Sequence, residues 1–185
     1  MLPMQRRLRS SGSVTGSDQM RLTRASRYVR SVELIDVDEL KAHGIRCVLV
    51  DRDNTLVPRD TKVAPTDVRA WLERLRQAHI SVCMVSNNFH TDQVCASADD
   101  LGCAVVHHAM KPAPVAIQIA LVTMGVPKEQ TVLVGDQLFT DVVAGNLAGI
   151  RTILVRPQSR KDLWYTQLFR IAEQAFLGDV SFEGE

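Results

Sequence analysis

The sequence predicts an α/β fold built on a mainly parallel sheet of about five strands with right-handed crossovers. Short apolar runs rich in β-branched residues alternate with amphipathic stretches of helical length, which is the pattern of repeated βαβ units. Polar residues follow each apolar run, where a parallel sheet places its functional groups. The chain of 185 residues is long enough for one domain that buries roughly 70% of its unfolded surface. We therefore expect an ordinary packed core.

Each predicted strand is a short apolar run bounded by turn residues. The runs occupy residues 48–50, 80–85, 103–108, 131–134 and 150–155. Runs of this length are too short for buried helices and fit strands inside a sheet.

The stretches between the strands predict helices. Before the first strand, Asp36 or Asp38 suits a helix start and Gly44 a stop. Thr66 can cap the next helix, whose apolar face is Val68, Trp71, Leu72, Leu75 and Ala78. A third helix over residues 91–101 stops at Gly102, and a fourth follows across residues 138–149 and their LFTDVVAGNLAG sequence.

Between those two, Pro112 suits the first turn of a further helix that Gly125 ends. Its predicted core face is Val115, Ala116, Ile119, Val122 and Met124.

Polar groups recur at the carboxyl ends of four predicted strands. In chain order they are Asp51 and Asp53, Ser86, Lys111, and Asp136, with Asp141 five residues later. Because these ends share one edge of a parallel sheet, the groups can form one site. Residues i and i+2 of an extended segment point the same way, so we expect the two carboxylates after the first strand to converge. Such a pair binds a metal ion or attacks phosphorus.

Four motifs in this order, DRDNT, VSNN, KP and GDQLFTD, resemble those of the haloacid dehalogenase-like (HAD) phosphohydrolases. The finer resemblance is to the YqeG-like branch, subfamily IIIA, which is similar to the phosphatidylglycerophosphate phosphatases of mitochondria and plastids. It covers about residues 26–177. The resemblance implies a Rossmann-like three-layer sandwich.

The resemblance also implies roles for individual residues. Asp51 would be the nucleophile that forms an aspartyl-phosphate, and Asp53 the general acid and base. The Mg²⁺ cofactor would be held by Asp51, the backbone carbonyl of Asp53, Asp136 and Asp141. Phosphate-binding positions would be Thr55, Ser86, Asn87 and Lys111.

Two residues around the nucleophile separate this chain from relatives. P-type ATPases of the same superfamily carry Thr where Asp53 stands, so an acid there implies rapid turnover and a phosphatase. Arg52 replaces the apolar residue often found between the two acids. Since its side chain should point opposite to the carboxylates, we expect little effect of Arg52 on the chemistry.

The intervals between the motifs leave no room for a cap domain, so the predicted site is open. An open site suits a bulky phosphorylated substrate, such as a lipid head group at a membrane surface, a phosphoprotein or a nucleic-acid end; the first is favoured and no nucleic-acid partner is expected. Two alternatives stay open: a phosphatase of a soluble phosphomonoester such as a sugar phosphate or nucleotide, and a non-catalytic scaffold.

The ends of the chain predict separate segments. Residues 1–25 form a basic head, expected to be disordered, since the first thirty residues hold seven arginines and one acid. The head could also be a transit peptide, a segment preceding a true start at Met20, or a tail attracted to anionic phosphates or lipids.

Residues 26–160 are expected to form the core. Residues 161–185 are expected to form an amphipathic helix and tail that packs on the domain, on a membrane surface or on a second copy in a homodimer. The apolar face of that helix comprises Trp164, Leu168, Ile171, Ala172 and Ala175.

Cysteine usage favours a reducing compartment. The four cysteines form no CxxC pair, and we expect them to be buried and reduced in a cytoplasmic protein, peripheral at most to the inner face of the membrane. A zinc site from Cys95, Cys103, His107 and His108 is the alternative, although the spacing matches no finger pattern.

Overall fold

A computed structural model describes residues 21–159, 173, 176–178 and 180–185. Within this part of the chain, six strands form one sheet in the order β1–β6–β5–β2–β3–β4, and every neighbouring pair is parallel. The strands are β1 Arg27–Val29, β2 Cys47–Val50, β3 Ser81–Val85, β4 Ala104–Val106, β5 Thr131–Gly135 and β6 Arg151–Val155. The α/β class and the five predicted strands are confirmed.

Five α-helices that lie wholly within residues 21–159 cover the two faces of the sheet. They are α1 Val37–Ala42, α2 Thr66–Gln77, α3 Thr91–Leu101, α4 Val115–Met124 and α5 Val143–Ala148. The first three pack on one core, which includes Val48 and Val50 of β2. Helices α4 and α5 pack on the opposite core with Leu49 of the same strand. Successive side chains of β2 thus point to opposite faces of the sheet, and each face is covered by its own layer of helices.

Trp71 of α2 is the largest fully buried side chain of the first core. Its indole Nε1 donates a hydrogen bond of 3.0 Å to the backbone carbonyl of Ile35, which is also fully buried. This bond satisfies a polar atom inside the core and joins α2 to the segment before α1.

Three local predictions need correction. Strand β1 was not predicted, because three residues are too few to show a period. Helix α2 begins at Thr66, but Pro65 occupies the capping position and no side chain caps the helix. Helix α4 begins at Val115 and not at Pro112.

The buried face of α4 also differs from the predicted one. Ala116, Ile117 and Ala120 face the core, whereas Val115, Ile119 and Val122 are half or more exposed. On this face Ala116 and Ala120 are small enough to let the helix lie close to the sheet, and Ile117 is fully buried in the core.

The predicted end segments lie largely outside the described residues. Residues 1–20 and the predicted apolar face from Trp164 to Ala175 are in this group. Residues 21–25 of the predicted head are packed: Asn146 Nδ2 donates to the carbonyls of Leu22 and Arg24, at 2.7 and 3.0 Å. At the other end, the Phe182 ring contacts Tyr28 edge-on, and the Arg156 guanidinium lies 3.9 Å above it.

All four cysteines are free. Cys47 and Cys83 are buried as expected, whereas Cys95 and Cys103 are only partly buried. Burial raises the pKa of the Cys47 thiol to about 11. The alternative zinc site does not assemble, because the described chain gathers three or more potential metal ligands at one place only, and that place is acidic. None of the helices in the described ranges combines the length and apolar character needed to cross a bilayer.

We expect the substitution Trp71→Phe to lower the free energy of unfolding by about 1–3 kcal/mol, because it leaves the buried Ile35 carbonyl without its donor. Urea denaturation measures the change. Phe89→Leu, at a side chain that is 79% exposed, is the control and should change the value by less than about 0.5 kcal/mol. Equal stability of the Trp71→Phe protein and the parent would contradict the assigned hydrogen bond.

Candidate active site

Three buried carboxylates lie together at the carboxyl edge of the sheet. Oxygen atoms of Asp51, Asp136 and Asp141 lie within 4.8 Å of one another. Asp51 follows β2 and Asp136 follows β5, and the pairing of Val50 with Val134 brings these two strand ends to the same level. The sequence prediction that strand ends gather these acids is therefore confirmed.

Asp141 reaches the cluster from a single turn of π-helix, Leu138–Val142. Its Oδ2 accepts a hydrogen bond of 3.0 Å from the backbone N–H of Gln137. Its carboxylate packs directly over Gly135, where a Cβ atom would lie 2.3 Å from Asp141 Cγ. Asp141 can take this position only because Gly135, at the end of β5, has no side chain.

Lys111 is the cation inside this cluster. Its Nζ lies 2.6 Å from Asp51 Oδ1 and 2.7 Å from Asp141 Oδ1, and it donates a bond of 2.7 Å to the carbonyl of Val85. All three ammonium protons therefore have partners. Burial alone would lower the pKa of Lys111, but the two carboxylates outweigh it and raise the pKa above its usual value. The lysine stays charged.

The pKa of Asp51 is raised to about 6. Burial is the largest cause, and the charges of Asp141 and Asp53 add to it, while Lys111 acts in the opposite direction. Three ionised carboxylates against one ammonium leave an excess of negative charge in a buried place. A divalent cation with a preference for oxygen ligands fits this donor set and would relieve the repulsion.

The Asp53 carboxylate does not join the cluster. Arg52 Nη1 lies 2.5 Å from its Oδ1, and Asn88 Nδ2 donates a bond of 3.1 Å to its Oδ2. The two carboxylates that the sequence predicts to converge have different partners, although they lie close enough for the charge of Asp53 to raise the pKa of Asp51.

Arg52 also differs from expectation. Its side chain reaches α3, where Nε lies 3.0 Å from Ser97 Oγ. Its guanidinium nevertheless contacts Asp53, so the expectation that Arg52 has little bearing on the chemistry loses its geometric basis.

Among the predicted phosphate-binding residues, Lys111 and Thr55 contact the acidic cluster directly. Ser86 is buried at the end of β3, and its Oγ accepts a bond of 3.1 Å from the backbone of Asn88. The amide of Asn87 is engaged with the backbone of Lys111, donating to its carbonyl at 3.0 Å and accepting from its N–H at 2.8 Å. Thr55 Oγ1 donates to Asp136 Oδ1 at 3.3 Å. Asn87 and Thr55 thus position other site residues.

The residues after β6 support the loop that carries Asp53. Gln158 Nε2 donates to the carbonyl of Thr55 at 2.6 Å, and Ser159 Oγ donates to Asn54 Oδ1 at 3.0 Å. Neither residue was singled out from the sequence. Both follow a predicted strand, so the rule that polar groups after strands share one edge could have found them.

Comparisons with known proteins agree with this geometry. The HAD-hydrolase-like family model matches residues 108–168. The chain is 34% identical to the probable phosphatase YqeG of Bacillus subtilis over 157 residues, 85% of this chain and 91% of that protein. It is 29% identical over 143 residues to phosphatidylglycerophosphate phosphatase 1, chloroplastic/mitochondrial, of Arabidopsis thaliana. That match covers 72% of this chain but 41% of the relative, so the chain spans less than half of that protein.

A solved structure with the same fold is the cobalt-bound form of the deoxy-D-mannose-octulosonate 8-phosphate phosphatase YrbI from Haemophilus influenzae. The TM-score is 0.50 at 18% identity, with 74% of this chain and 90% of that chain covered. At this identity the likeness concerns the fold.

Replacing Gly135 by Ala should weaken Mg²⁺ binding by at least about tenfold, because the new Cβ displaces the Asp141 carboxylate. Isothermal titration calorimetry measures the affinity. Gly44→Ala is the control: its site is open but its φ is +73°, so we expect about 1 kcal/mol of lost stability and the parent affinity. Unchanged Mg²⁺ affinity in the Gly135→Ala protein would remove Asp141 from the cation site.

Mg²⁺ affinity should fall by about tenfold per pH unit below about pH 6, because protons compete with the cation for Asp51. The pKa of Asp51 in the metal-free protein, raised to about 6, sets this limit. Titrations at several pH values measure it, with Asp60→Asn, an exposed acid of the neighbouring loop, as the control. A constant affinity between about pH 5 and 7 would contradict the proton competition.

Proposed function

The chain belongs to the HAD family of phosphatases, and we propose that it hydrolyses a phosphate monoester through an aspartyl-phosphate on Asp51. The observation that carries the proposal is the contact between Asp51 and Lys111 within a buried acidic cluster at the carboxyl edge of the sheet. A carboxylate nucleophile divides the slow hydrolysis of a phosphate ester into two easier transfers.

In the first transfer, a carboxylate oxygen of Asp51 forms a bond to phosphorus as the bond from phosphorus to the leaving oxygen breaks. Asp53 gives its proton to that oxygen, which leaves as an alcohol. In the second transfer, a water molecule attacks the same phosphorus, Asp53 takes the proton of the water, and the Asp51 carboxylate is released with inorganic phosphate. Asp51 must be ionised to attack, and its contact with Lys111 favours this form.

The donor set fits Mg²⁺, which Asp51, Asp136 and Asp141 would hold with the backbone carbonyl of Asp53. When bound, Mg²⁺ neutralises charge on the phosphoryl oxygens and on the acidic cluster. Among the residues of this chain, the Ser86 hydroxyl and the Lys111 ammonium would bind the phosphoryl oxygens, and the ammonium would release one of its three acceptors to do so. Asn87 fixes the backbone of Lys111, and Thr55 orients Asp136.

We assign phosphatidylglycerophosphate as the substrate, which would give phosphatidylglycerol. Two observations support this assignment: the similarity to a relative named as a phosphatase of this lipid, and the absence of a cap domain within residues 21–159. A lipid head group is presented at a surface, so it can reach a site at a sheet edge without a lid. A soluble phosphomonoester is the competing substrate class.

Asp51→Asn should abolish phosphate release from phosphatidylglycerophosphate in mixed micelles with Mg²⁺, by at least about 10³-fold. The isosteric amide cannot form the covalent intermediate. Asp60→Asn is the matched control and should keep the parent rate, since Asp60 is an exposed acid of the adjacent loop. Phosphate release is measured colorimetrically, with and without Mg²⁺.

A soluble aryl phosphate tested in parallel separates the mechanism from the substrate. Turnover of the aryl phosphate without release from the lipid would overturn the lipid assignment and keep the nucleophile. Equal rates for the Asp51→Asn protein and the parent would overturn the mechanism.

A further inference from the structure

The Arg52 guanidinium is buried next to the nucleophile, with 6% of the side chain exposed. A buried guanidinium is unfavourable unless charged or polar groups accept from it. Its acceptors are Asp53 Oδ1 at 2.5 Å and Ser97 Oγ at 3.0 Å. The Ser97 hydroxyl donates its own proton to the carbonyl of Gln93 at 2.8 Å, so its lone pairs are available to Arg52. Arg52 therefore joins the Asp53 loop to α3.

Both oxygens of the Asp53 carboxylate have donors. Arg52 Nη1 reaches Oδ1, Asn88 Nδ2 donates to Oδ2 at 3.1 Å, and Arg59 Nη2 lies 3.8 Å from Oδ2. The amide of Asn88 is oriented by its own Oδ1, which accepts from the backbone of His90 at 2.9 Å. The plane of the Asp53 carboxylate is thus fixed by groups on two loops, the one after β2 and the one after β3.

A general acid or base works only within hydrogen-bond reach of the atom that gains or loses the proton. Asp53 lies outside the acidic cluster that contains Asp51, so its direction does not follow from the cation site. Without Arg52, the amide of Asn88 and the more distant Arg59 would remain to orient it.

We propose that Arg52 is a positioning residue, which holds the Asp53 carboxylate where it can exchange a proton with the leaving oxygen. The inference rests on the proposed function, because it assigns Arg52 a part in the same reaction. Arg52 acts through Asp53 and does not touch the substrate. No other arginine between residues 21 and 159 makes such a short contact with a proposed catalytic carboxylate.

The dependence of the rate on the leaving group tests this role. Protonation of the leaving oxygen matters most for poor leaving groups and little for good ones. We therefore compare kcat/KM for a series from dinitrophenyl phosphate to phenyl phosphate, since kcat/KM reports the transfer to Asp51. Arg52→Met should lose about 10- to 100-fold on phenyl phosphate and less than about threefold on dinitrophenyl phosphate.

Two further variants keep the test informative if Arg52→Met does not fold. Arg52→Lys keeps the charge but has a single nitrogen for two partners, so it should show a smaller loss with the same trend. Ser97→Ala removes one acceptor of Arg52 and leaves the contact between Arg52 and Asp53 in place. It should also lose less activity than Arg52→Met, with the same dependence on the leaving group. Arg69→Met is the matched control: Arg69 of α2 pairs with Asp100 of α3 at the surface, and its loss should leave the series unchanged.

The outcomes separate the two levels of the proposal. An equal loss on every leaving group, or no loss, in the Arg52 variants would overturn the positioning role while the parent enzyme keeps the proposed function. A parent enzyme that releases phosphate neither from these esters nor from phosphatidylglycerophosphate, or that loses nothing in the Asp51→Asn form, would overturn the proposed function and the positioning role with it.

Discussion

The buried ammonium of Lys111 is the interaction on which the site depends. It bonds to Asp51, Asp141 and the end of β3, and thereby connects three of the chain segments that meet at the carboxyl edge of the sheet. Burying one cation and several carboxylates is expensive unless each is paired. Lys111 offsets part of the unfavourable burial energy by pairing with two carboxylates. The excess negative charge that remains suits a divalent cation.

The groups around Lys111 serve mainly to hold it and its partners in place. Asn87 pairs with the Lys111 backbone through both ends of its amide, and Thr55 donates to Asp136. The missing side chain of Gly135 makes room for Asp141. Donors that are already oriented need no reorganisation during a reaction. They therefore stabilise the charge of a transition state more than they strengthen binding of the ground state.

The two carboxylates of the DRDNT segment occupy different environments. Asp51 lies in the buried cluster with Lys111, while Asp53 lies between Arg52 and Asn88. A nucleophile and a proton-transfer group need different surroundings, and these two environments suit the roles proposed for Asp51 and Asp53.

The sequence by itself determined the alternation of strands and helices and the edge at which the polar residues gather. Strand and helix periods are local properties, and the carboxyl ends of parallel strands share one edge whatever the details. The tertiary structure alone decided that Asp53 faces Arg52, that Asn87 holds the Lys111 backbone, and that the short β1 joins the sheet. The tertiary structure also decided that the face of α4 with Val115 and Val122 is exposed. The direction of a side chain and the residue that it contacts depend on turns and on packing between distant segments. Lys111 and Asp51, for example, are 60 positions apart. No local sequence pattern encodes such contacts.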